Sequence, residues 1–437
     1  MSTKIAIVGL WHQGIVAAGC LADMGFEVTA ADLDTDKIAT LSDGRAPIFE
    51  PGLDELLEKG VKGGNLSFTT DLAAAVEGRE FVFFMFDTPV DENDISDLTG
   101  VFAAAETIAP KLAPDCVIWN TAQVPVGSSE QIVERISKVN PDLEFAIVYS
   151  PENLRLGQAV ELFRTPALPV IGSEDARALD RIEALLAPLN VTWKRVNLRT
   201  AEVCKHALNG FLATSISFAN ELGNLCDEVG ADGFEVAKAL RLEPRIGPKA
   251  MLRPGMGFSG GTLARDIQTL RTLGDRHGIE TLLLDGLWQT NQYQNQFVVR
   301  RLTRQLGDLA GKEIAVLGIT YKPGTSTLRR SVALETIAEL DKAGAKVKAH
   351  DPKADREELK EYSGFEFCDN VDEALQGVDA VAIMTGWDDY KELDWEKVKG
   401  LVSSPLLIDC NNMLDGDALN DKGFTYFDIG RGRAASS

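Results

Sequence analysis

The first thirty residues place the strongest constraint on the fold of this chain. Residues 4–10 (KIAIVGL) form a short apolar run that contains a glycine near its end, residues 15–24 have helical spacing, and residues 27–31 form a second apolar run before Asp32. This order predicts a strand, a tight turn, a helix and a second strand. Further apolar runs, separated by helix-like segments, lie at residues 81–86, 117–119, 145–149 and 170–171. The first half of the chain is therefore predicted to form a parallel sheet covered by helices.

The second half changes pattern twice. Residues 200–229 contain no proline and place apolar residues at i, i+3 and i+4, which predicts a long helix, and another helical stretch is predicted over about residues 283–306. A strand pattern returns at residues 313–318 (EIAVLG) and recurs at 346–349, 380–384 and 406–408. The predicted fold class is α/β, with two doubly wound, Rossmann-like parallel-sheet domains (1–199 and 309–437) joined by a central helical connector (200–308).

Composition restricts the possible partners. The chain has 437 residues, 44 Lys plus Arg and 66 Asp plus Glu, and its formal net charge is -22. This charge disfavours non-specific binding to nucleic acid or to anionic membranes. The six cysteines lack zinc-ligand spacing or a disulfide pattern, and no apolar run is long enough to span a bilayer. We therefore expect a soluble cytoplasmic protein with no metal, no nucleic-acid partner and no membrane partner.

The turn after the first predicted strand carries an altered dinucleotide fingerprint. That fingerprint is G-x-G-x-x-G followed by an acid about 20 residues later. Gly9, Gly14 and Asp32 fit it, but Trp11 stands at the second glycine. Asp32 favours NAD over NADP, because a carboxylate there repels a 2′-phosphate. Trp11 is expected to push the diphosphate outward or to occupy its place, His12 is either an exposed loop residue or a phosphate donor, and the alternative is a turn that binds no ligand.

Eight short segments occur in a characteristic order along almost the whole chain. They are PIFEPGLDELL (47–57), the TP of FDTPV (Thr88 and Pro89), VPVG (124–127), SPENL (150–154), AEVCKHALNGF with SFANEL (201–222), PRIGPK (244–249), GFSGGTLARD (257–266) and YKPGTSTLRRS (321–331). Together they resemble the UDP-glucose/GDP-mannose dehydrogenase family. The resemblance implies NAD-dependent oxidation of a nucleotide-sugar hydroxymethyl group to a carboxylate. It also implies an NAD-binding first domain, a nucleotide-binding last domain, and a homodimer paired through the central helices.

The resemblance also implies which residues form the site. The residues implied for NAD are Gly9, Trp11, Gly14, Asp32, Thr88, Gln123 and Arg329. Those implied for the nucleotide sugar are Glu152, Lys205, Asn209, Arg245, Phe258, Gly260 and Lys322. Lys205 and Asn209 are four residues apart in the predicted long helix, so they share one face and can converge on one ligand. Arg245 is expected to reach the site of a neighbouring subunit, while Lys249 and Arg253 add positive charge for a diphosphate.

The sequence departs from the family at the catalytic cysteine. Aligning GFSGGTLARD with the family loop G-G-S-C-F-x-K-D places Thr262 at the cysteine. A threonine hydroxyl is a poor substitute for the thiolate that captures an aldehyde and becomes a thioester. Further departures from the family pattern are Gln123, Leu156, Arg265 and Asn411. The predicted catalytic residues are Glu152, Lys205, Asn209, Thr262 and Asp266.

The retained groups still allow oxidation and reduction. Glu152 is predicted to act as general base, while Lys205 and Asp266 order a water or polarise a substrate oxygen. Three reactions fit: one hydride transfer with release of an aldehyde or ketone, oxidation and re-reduction that inverts one carbon, or oxidation of an aldehyde hydrate as a gem-diol. The alternative interpretations are an inert cleft of paired charges and a catalytically silent homologue that binds a nucleotide sugar or NAD.

Overall fold

The computed structural model of the chain describes residues 2–91, 95–259 and 262–433. The chain divides into two compact units, Met1–Leu208 and Asn209–Ser437. Each unit contains one sheet, of eight strands in the first and six in the second, and long helices lie between the two sheets in sequence. The predicted α/β fold with two Rossmann-like sheets and a central helical region is therefore confirmed. The division into three domains stays a prediction.

The first unit is built on an eight-stranded sheet. Its strands are β1 (Lys4–Val8), β2 (Glu27–Ala31), β3 (Leu66–Thr69), β4 (Phe81–Phe84), β5 (Cys116–Asn120), β6 (Phe145–Tyr149), β7 (Val170–Gly172) and β8 (Lys194–Val196). Its helices are α1 (His12–Asp23), α2 (Thr35–Ser42), α3 (Leu53–Gly63), α4 (Leu72–Val76), α5 (Thr99–Ile108), α6 (Ser128–Val139), α7 (Ala159–Arg164) and α8 (Ala176–Leu185). The strand order is β3-β2-β1-β4-β5-β6-β7-β8, and only the pairing of β6 with β7 is antiparallel.

Both faces of this sheet are covered. Along β1, Ile5 and Ile7 belong to one core cluster, whereas Ala6 and Val8 belong to the cluster on the opposite face. Successive side chains of a strand point to opposite faces, so a strand buried on both sides is apolar at every position. This is why the central strands are recognisable in the sequence as continuous apolar runs.

The second unit is built on a six-stranded sheet. Its strands are β9 (Glu313–Leu317), β10 (Lys346–His350), β11 (Glu366–Phe367), β12 (Ala380–Ile383), β13 (Leu406–Asp409) and β14 (Thr425–Phe427). The helix α9 (Leu198–Val229) continues from the first unit, and the further helices are α10 (Gly233–Leu240), α11 (Leu263–His277), α12 (Leu282–Asn295), α13 (Phe297–Leu306), α14 (Val332–Lys342), α15 (Val371–Leu375), α16 (Asp388–Lys391), α17 (Trp395–Leu401) and α18 (Gly416–Asp421). The strand order is β11-β10-β9-β12-β13-β14, and every pair is parallel.

The structure differs from the predicted elements in several respects. The first sheet was predicted to be parallel, but β6 and β7 pair in antiparallel orientation, and the helix α11 was not predicted. The strands β3, β8, β11 and β14 were not predicted; all four are edge strands of two to four residues, too short to give a clear apolar run. The helix predicted over about residues 283–306 is two helices, α12 and α13. They are separated at Gln296, whose φ of -84° and ψ of 7° interrupt the helix. The apolar periodicity continues across this residue and does not reveal the break.

The strand order reverses at one point in each sheet. These points lie between β1 and β4 and between β9 and β12. In open parallel sheets, ligands bind in the crevice at the carboxyl ends of the strands beside such a reversal. Among the described helices, none combines the length and apolar character needed to cross a bilayer.

Candidate active site

The turn after β1 has the geometry of a dinucleotide-binding turn. Gly9 has a φ of +97°, a left-handed conformation that favours glycine. A Cβ atom on Gly14 would lie 2.1 Å from the carbonyl oxygen of Gly9, so α1 packs against the turn as closely as glycine allows. The first turn of α1 carries no acidic residue, and the amide groups at a helix N-terminus attract anions. The turn therefore fits the diphosphate of a dinucleotide.

Trp11 occupies the second glycine position without distorting this turn. It precedes α1 with a φ of -82° and a ψ of -173°, an extended conformation that any residue adopts. Its side chain is 49% exposed and lies at the surface. Trp11 can therefore affect a bound diphosphate through the volume of its side chain, and not through the conformation of the backbone.

Asp32 follows β2 and is held against the same turn. Its Oδ2 atom accepts a hydrogen bond from the Leu10 amide at 2.8 Å, and the ammonium of Lys37 lies 3.0 Å from the same oxygen. Its Oδ1 atom accepts from the Asp34 amide at 3.1 Å. A carboxylate has about four acceptor sites, so Asp32 retains capacity for a ribose hydroxyl.

The loops after β4 and β5 meet at the crevice beside α1. The Thr88 hydroxyl donates to the carbonyl oxygen of Gln123 at 2.6 Å. The side chain of Gln13, in the first turn of α1, donates to the Phe86 carbonyl and accepts from the Thr121 hydroxyl, both at 3.1 Å. The structure thus brings Thr88 and Gln123 together, and Gln13 in the first turn of α1 bonds to the two loops that carry them.

Glu152 and Lys205 meet within the first unit. Glu152 lies in the loop between β6 and α7, and Lys205 lies on α9 with only 5% of its surface exposed. The Lys205 ammonium donates to the main-chain carbonyl of Glu152 and, at 3.1 Å, to Oδ1 of Asn153. The Glu152 carboxylate accepts from the amide of Leu154. Lys205 therefore holds the backbone of this loop, while the Glu152 carboxylate bonds to the backbone of the same loop two residues further on.

Asn209 and Asp266 form a second pair, within the second unit. Asp266 is fully buried on α11, and the amide group of Asn209 on α9 donates to its Oδ2 atom. Thr262 stands immediately before α11, one turn from Asp266; its side chain is exposed and does not cap the helix. The second unit thus places an exposed hydroxyl one helical turn from a buried, hydrogen-bonded carboxylate.

All six cysteines are unpaired thiols. Five of them are buried, and Cys204 is half-buried and packs against the core of the first unit. Burial raises the pKa of Cys20 to about 12 and that of Cys116 to about 11. Burial also raises the pKa of the remaining thiols, Cys204, Cys226, Cys368 and Cys410. The nucleophilic form of cysteine is the thiolate, so none of the six environments favours covalent catalysis.

A cavity of about 600 Å³ lies at the carboxyl ends of β12 and β13 in the second sheet. Arg253 and Lys391 contribute its positive charges, Asn411 and Asn412 contribute amides, and Gly386 leaves room for a ligand to approach the backbone. Cationic side chains form the strong hydrogen bonds that a diphosphate requires. The size, position and charge of this cavity fit a nucleotide.

The second sheet has an acidic residue at the position that corresponds to Asp32 in the first sheet. Asp351 follows β10, and its Oδ2 atom accepts from the amides of Ile319 and Thr320, the Thr320 hydroxyl and the Trp387 indole at 2.8 to 3.1 Å. Four donors on one oxygen leave Asp351 far less capacity for a ribose than Asp32 has. Asp351 instead fixes the turn after β9, where Gly318 has a φ of +85°.

The remaining predicted site residues are spread over the second unit. The guanidinium of Arg245 is 88% exposed after α10 and lies 2.9 Å from Glu243. Lys322 and Arg329 are exposed between β9 and α14. Phe258 is buried in a core cluster, and both its main-chain polar groups bond to Asn291. Gly260 lies outside the described residues.

Two features of the site were not predicted from the sequence. Glu50 is 4% exposed and hydrogen-bonds to His12 and to two main-chain amides of a distant loop. An acid within the segment PIFEPGL was the available signal. Gly386 and Lys391 line the second-sheet cavity, and the signal there was a glycine shortly after the apolar run of β12. In the described part of the chain, no cluster of His, Cys, Asp or Glu is arranged to hold a metal ion.

The first sheet thus has a dinucleotide-binding turn, and the second has a crevice that fits a nucleotide. Together they define a two-sheet, nucleotide-dependent α/β protein of the dehydrogenase class. Residues 3–190 match the NAD binding domain of the UDP-glucose/GDP-mannose dehydrogenase family, residues 199–293 its central domain, and residues 315–416 its UDP binding domain. The chain belongs to this family.

Known proteins of similar sequence and structure agree with this. UDP-glucose 6-dehydrogenase TuaD of Bacillus subtilis (strain 168) is 37% identical over 436 residues, covering 98% of this chain and 93% of that protein. UDP-glucose 6-dehydrogenase of Rhizobium meliloti (strain 1021) is 36% identical over 435 residues, covering 98% and 99%. A UDP-glucose dehydrogenase structure from Pyrobaculum islandicum superposes with a TM-score of 0.85 at 28% identity, covering 100% of this chain and 96% of that one.

These matches establish the general activity. The chain is an oxidoreductase of the NAD-dependent nucleotide-sugar dehydrogenase type, and the predicted cofactor, NAD, is confirmed. The close packing of Gly14 on Gly9 and the remaining acceptor capacity of Asp32 fit that cofactor.

Proposed function

We propose that this chain oxidises a nucleotide sugar of the UDP- or GDP-hexose type by hydride transfer to NAD, without a cysteine thioester. The observation that carries this proposal is Thr262, which stands where the family loop has its nucleophilic cysteine. Burial raises the pKa of every cysteine, which further disfavours a thiolate at another position. Six unpaired thiols also fit a reducing cytoplasm, where we place the reaction.

Two groups of residues would hold the reactants. NAD, when bound, supplies the hydride acceptor. We assign Gly9, Trp11, Gly14, Asp32, Thr88, Gln123 and Arg329 to the cofactor, and Glu152, Lys205, Asn209, Arg245, Phe258, Gly260 and Lys322 to the nucleotide sugar. Phe258 contributes through the loop that its buried ring anchors, because the ring itself lies in the core.

The proton chemistry is assigned to the two hydrogen-bonded pairs. The Glu152 carboxylate leaves the Leu154 amide and accepts the hydroxyl proton of the substrate as its carbon loses a hydride, which converts the alcohol to a carbonyl group. Lys205 holds the Glu152 loop and presents a buried positive charge that stabilises the developing oxyanion. Asn209 fixes the orientation of Asp266, which orders a water near Thr262.

The ratio of NADH to sugar tests this reaction. Purified protein is incubated with NAD and a panel of UDP- and GDP-hexoses, and NADH and sugar products are quantified together. One NADH per aldehyde or ketone, an inverted sugar with no net NADH, or two NADH per uronate through a gem-diol each fits the proposal. NAD binding with no conversion of any sugar would instead indicate a catalytically silent homologue.

Intact-mass measurement during turnover separates the gem-diol reaction from a thioester reaction. We expect the mass of the protein to stay unchanged when the reaction is quenched with acid in the steady state. We also expect iodoacetamide to leave kcat unchanged, because all six thiols are largely protonated. Cys204→Ser removes the half-buried thiol and should match the unaltered protein. A sugar adduct held through sulfur would contradict the proposal.

We further propose a homodimer paired through α9. Four exposed apolar side chains follow one side of this helix: Phe211 (72% exposed), Phe218 (52%), Leu225 (61%) and Val229 (76%). The first three are spaced seven residues apart, the repeat that allows two helices to pack along a continuous seam. Closed two-fold pairing of one such surface on itself is the commonest way to bury it.

Substituting Phe218 with glutamate should convert the dimer to a monomer. A charge in the middle of the apolar seam has no partner when two helices pair, and burying it is costly. Sedimentation velocity at micromolar concentration measures the change. Phe49→Glu is the matched control, because Phe49 is an equally apolar residue that is 86% exposed and is not part of α9. A monomer before any substitution would contradict the proposed pairing.

A further inference from the structure

Glu50 lies between α2 and α3 and holds three donors from two separate segments. Its side chain is 1% exposed. Oε2 bonds to Nε2 of His12 at 2.9 Å and accepts from the Gly157 amide at 2.8 Å, and Oε1 accepts from the Ala159 amide at 2.8 Å. Burial by itself would raise the pKa of Glu50, but the bonds from His12, Gly157 and Ala159 outweigh it and lower that pKa. Glu50 is therefore a buried, ionised carboxylate that has a hydrogen-bond partner on each oxygen.

The two segments joined by Glu50 have different tasks. His12 is the first residue of α1 and adjoins the turn that faces the cofactor diphosphate. Gly157 and Ala159 lie at the far end of the loop that begins at Ser150 and carries Glu152. A single carboxylate therefore connects His12, beside the phosphate turn, to the end of that loop.

The loop that carries Glu152 is packed in its first half, where Pro151 is buried and Leu154 contacts the core of the first unit, and is exposed from residue 155 to residue 158. Its inner side borders a cavity of about 70 Å³ lined by Glu152, Leu154, Trp119 and Trp193, among others. The Trp119 indole nitrogen faces no hydrogen-bond partner within the described residues. At its start the loop is held by Ser150, whose hydroxyl donates to the Val170 carbonyl at 2.9 Å. Side-chain hydrogen bonds hold the loop through Ser150 at its start, Lys205 near Glu152 and Glu50 at its exposed end.

We propose that Glu50 is a positioning residue that couples occupation of the NAD phosphate turn to the conformation of the Glu152 loop. NAD binding and ordering of the loop then stabilise each other, because coupling between two binding events is reciprocal. The functional value of this coupling rests on the proposed role of Glu152. The coupling itself is measurable without turnover.

Limited trypsin digestion measures the loop directly, because Arg155 is exposed within it. Cleavage after Arg155 is quantified by mass spectrometry, with and without saturating NAD. We expect NAD to slow this cleavage by about tenfold in the unaltered protein, the factor that corresponds to about 1.4 kcal/mol of coupling. NAD that binds without changing cleavage after Arg155 would overturn the proposal.

Two substitutions test separately the contact of Glu50 with the loop and its contact with His12. Glu50→Gln should speed cleavage after Arg155 at least tenfold without NAD, because one amide oxygen cannot replace both carboxylate oxygens. His12→Leu keeps Glu50 on the loop, so basal cleavage should stay unchanged while protection by NAD falls below threefold. Glu58→Gln, an exposed acid on α3, is the matched control and should behave as the unaltered protein.

The results distinguish this proposal from the proposed reaction. Unchanged cleavage in folded Glu50→Gln, or full NAD protection in His12→Leu, would overturn the coupling even if nucleotide sugars are oxidised. The expected cleavage pattern would support the coupling even if no sugar is converted. If Glu50→Gln does not fold, the loss or retention of NAD protection in His12→Leu decides whether the coupling exists. His12 is the first residue of α1, and replacing it leaves the contacts of Glu50 with Gly157 and Ala159 in place.

Discussion

Replacing Lys205 with methionine is expected to lower kcat for the preferred nucleotide sugar by about 10²- to 10⁴-fold. Methionine matches the length and apolar stem of lysine but carries no charge and no donor. The Glu152 carbonyl and Asn153 would lose the contacts that fix their loop, and the developing oxyanion would lose its positive charge. Stopped-flow measurement of NADH formation in a single turnover reports the effect on hydride transfer directly.

Lys194→Met is the matched control for this substitution. Lys194 is exposed on β8, so its loss should leave kcat unchanged. A thermal unfolding curve separates loss of catalysis from loss of structure. If Lys205→Met does not fold, Lys205→Arg replaces it as the test. Arginine keeps the positive charge but cannot reproduce the compact geometry of the ammonium group. We therefore expect Lys205→Arg to lower kcat by a larger factor than it raises KM. A folded Lys205→Met protein with normal single-turnover rates would contradict the proposed role.

Adding one methyl group at Gly14 is expected to remove NAD binding. The Cβ atom of Gly14→Ala would lie 2.1 Å from the Gly9 carbonyl oxygen, so α1 and the turn must separate. Overpacking of this kind lowers the free energy of unfolding by about 1–3 kcal/mol. It also moves the N-terminus of α1 away from the diphosphate that it binds. In the unaltered protein, NAD at 100 times its Kd adds about 2.7 kcal/mol of stability, which raises the unfolding midpoint by about 5–10 °C. We expect the variant to show no NAD-dependent shift.

Gly100→Ala provides the same substitution at a permissive position. Gly100 lies in α5, and a Cβ atom there would have no neighbour within 4 Å. Its NAD-dependent shift should equal that of the unaltered protein, and its stability should rise slightly because alanine favours helices. An unchanged NAD shift in Gly14→Ala would show that the diphosphate does not approach this turn.

The strands that are buried on both faces were predictable from the sequence, and the partly exposed edge strands were not. Central strands such as β1 and β9 bury both faces and are therefore apolar at every position after the first. The edge strands β8 and β11 contain no buried residue, so nothing in their sequence separates them from loops. The break at Gln296 escaped prediction because helical periodicity records which face is buried and not whether the backbone is continuous.

The site was predictable where its residues lie in one motif or one helix. Gly9, Gly14 and Asp32 belong to a single strand-turn-helix-strand unit, in which spacing alone defines their geometry. Thr88 and Gln123 lie 35 residues apart, and only the pairing of parallel strands brings their loops together. Trp11 was expected to push the diphosphate outward or to occupy its place, and this stays a prediction, because the structure shows only that the extended backbone at this position accepts any residue.

The sequence by itself determined the fold class, the family and the cofactor, because each depends on residue type and local spacing. Only the tertiary structure showed that Glu50 joins the phosphate turn to the Glu152 loop, through contacts 38 and 107 residues apart in the chain. It alone showed that Asp351 is already saturated with donors while Asp32 is not. The physical reason is that a hydrogen bond depends on the distance between atoms in space, and for residues far apart in the chain that distance is set by the packing of the whole domain.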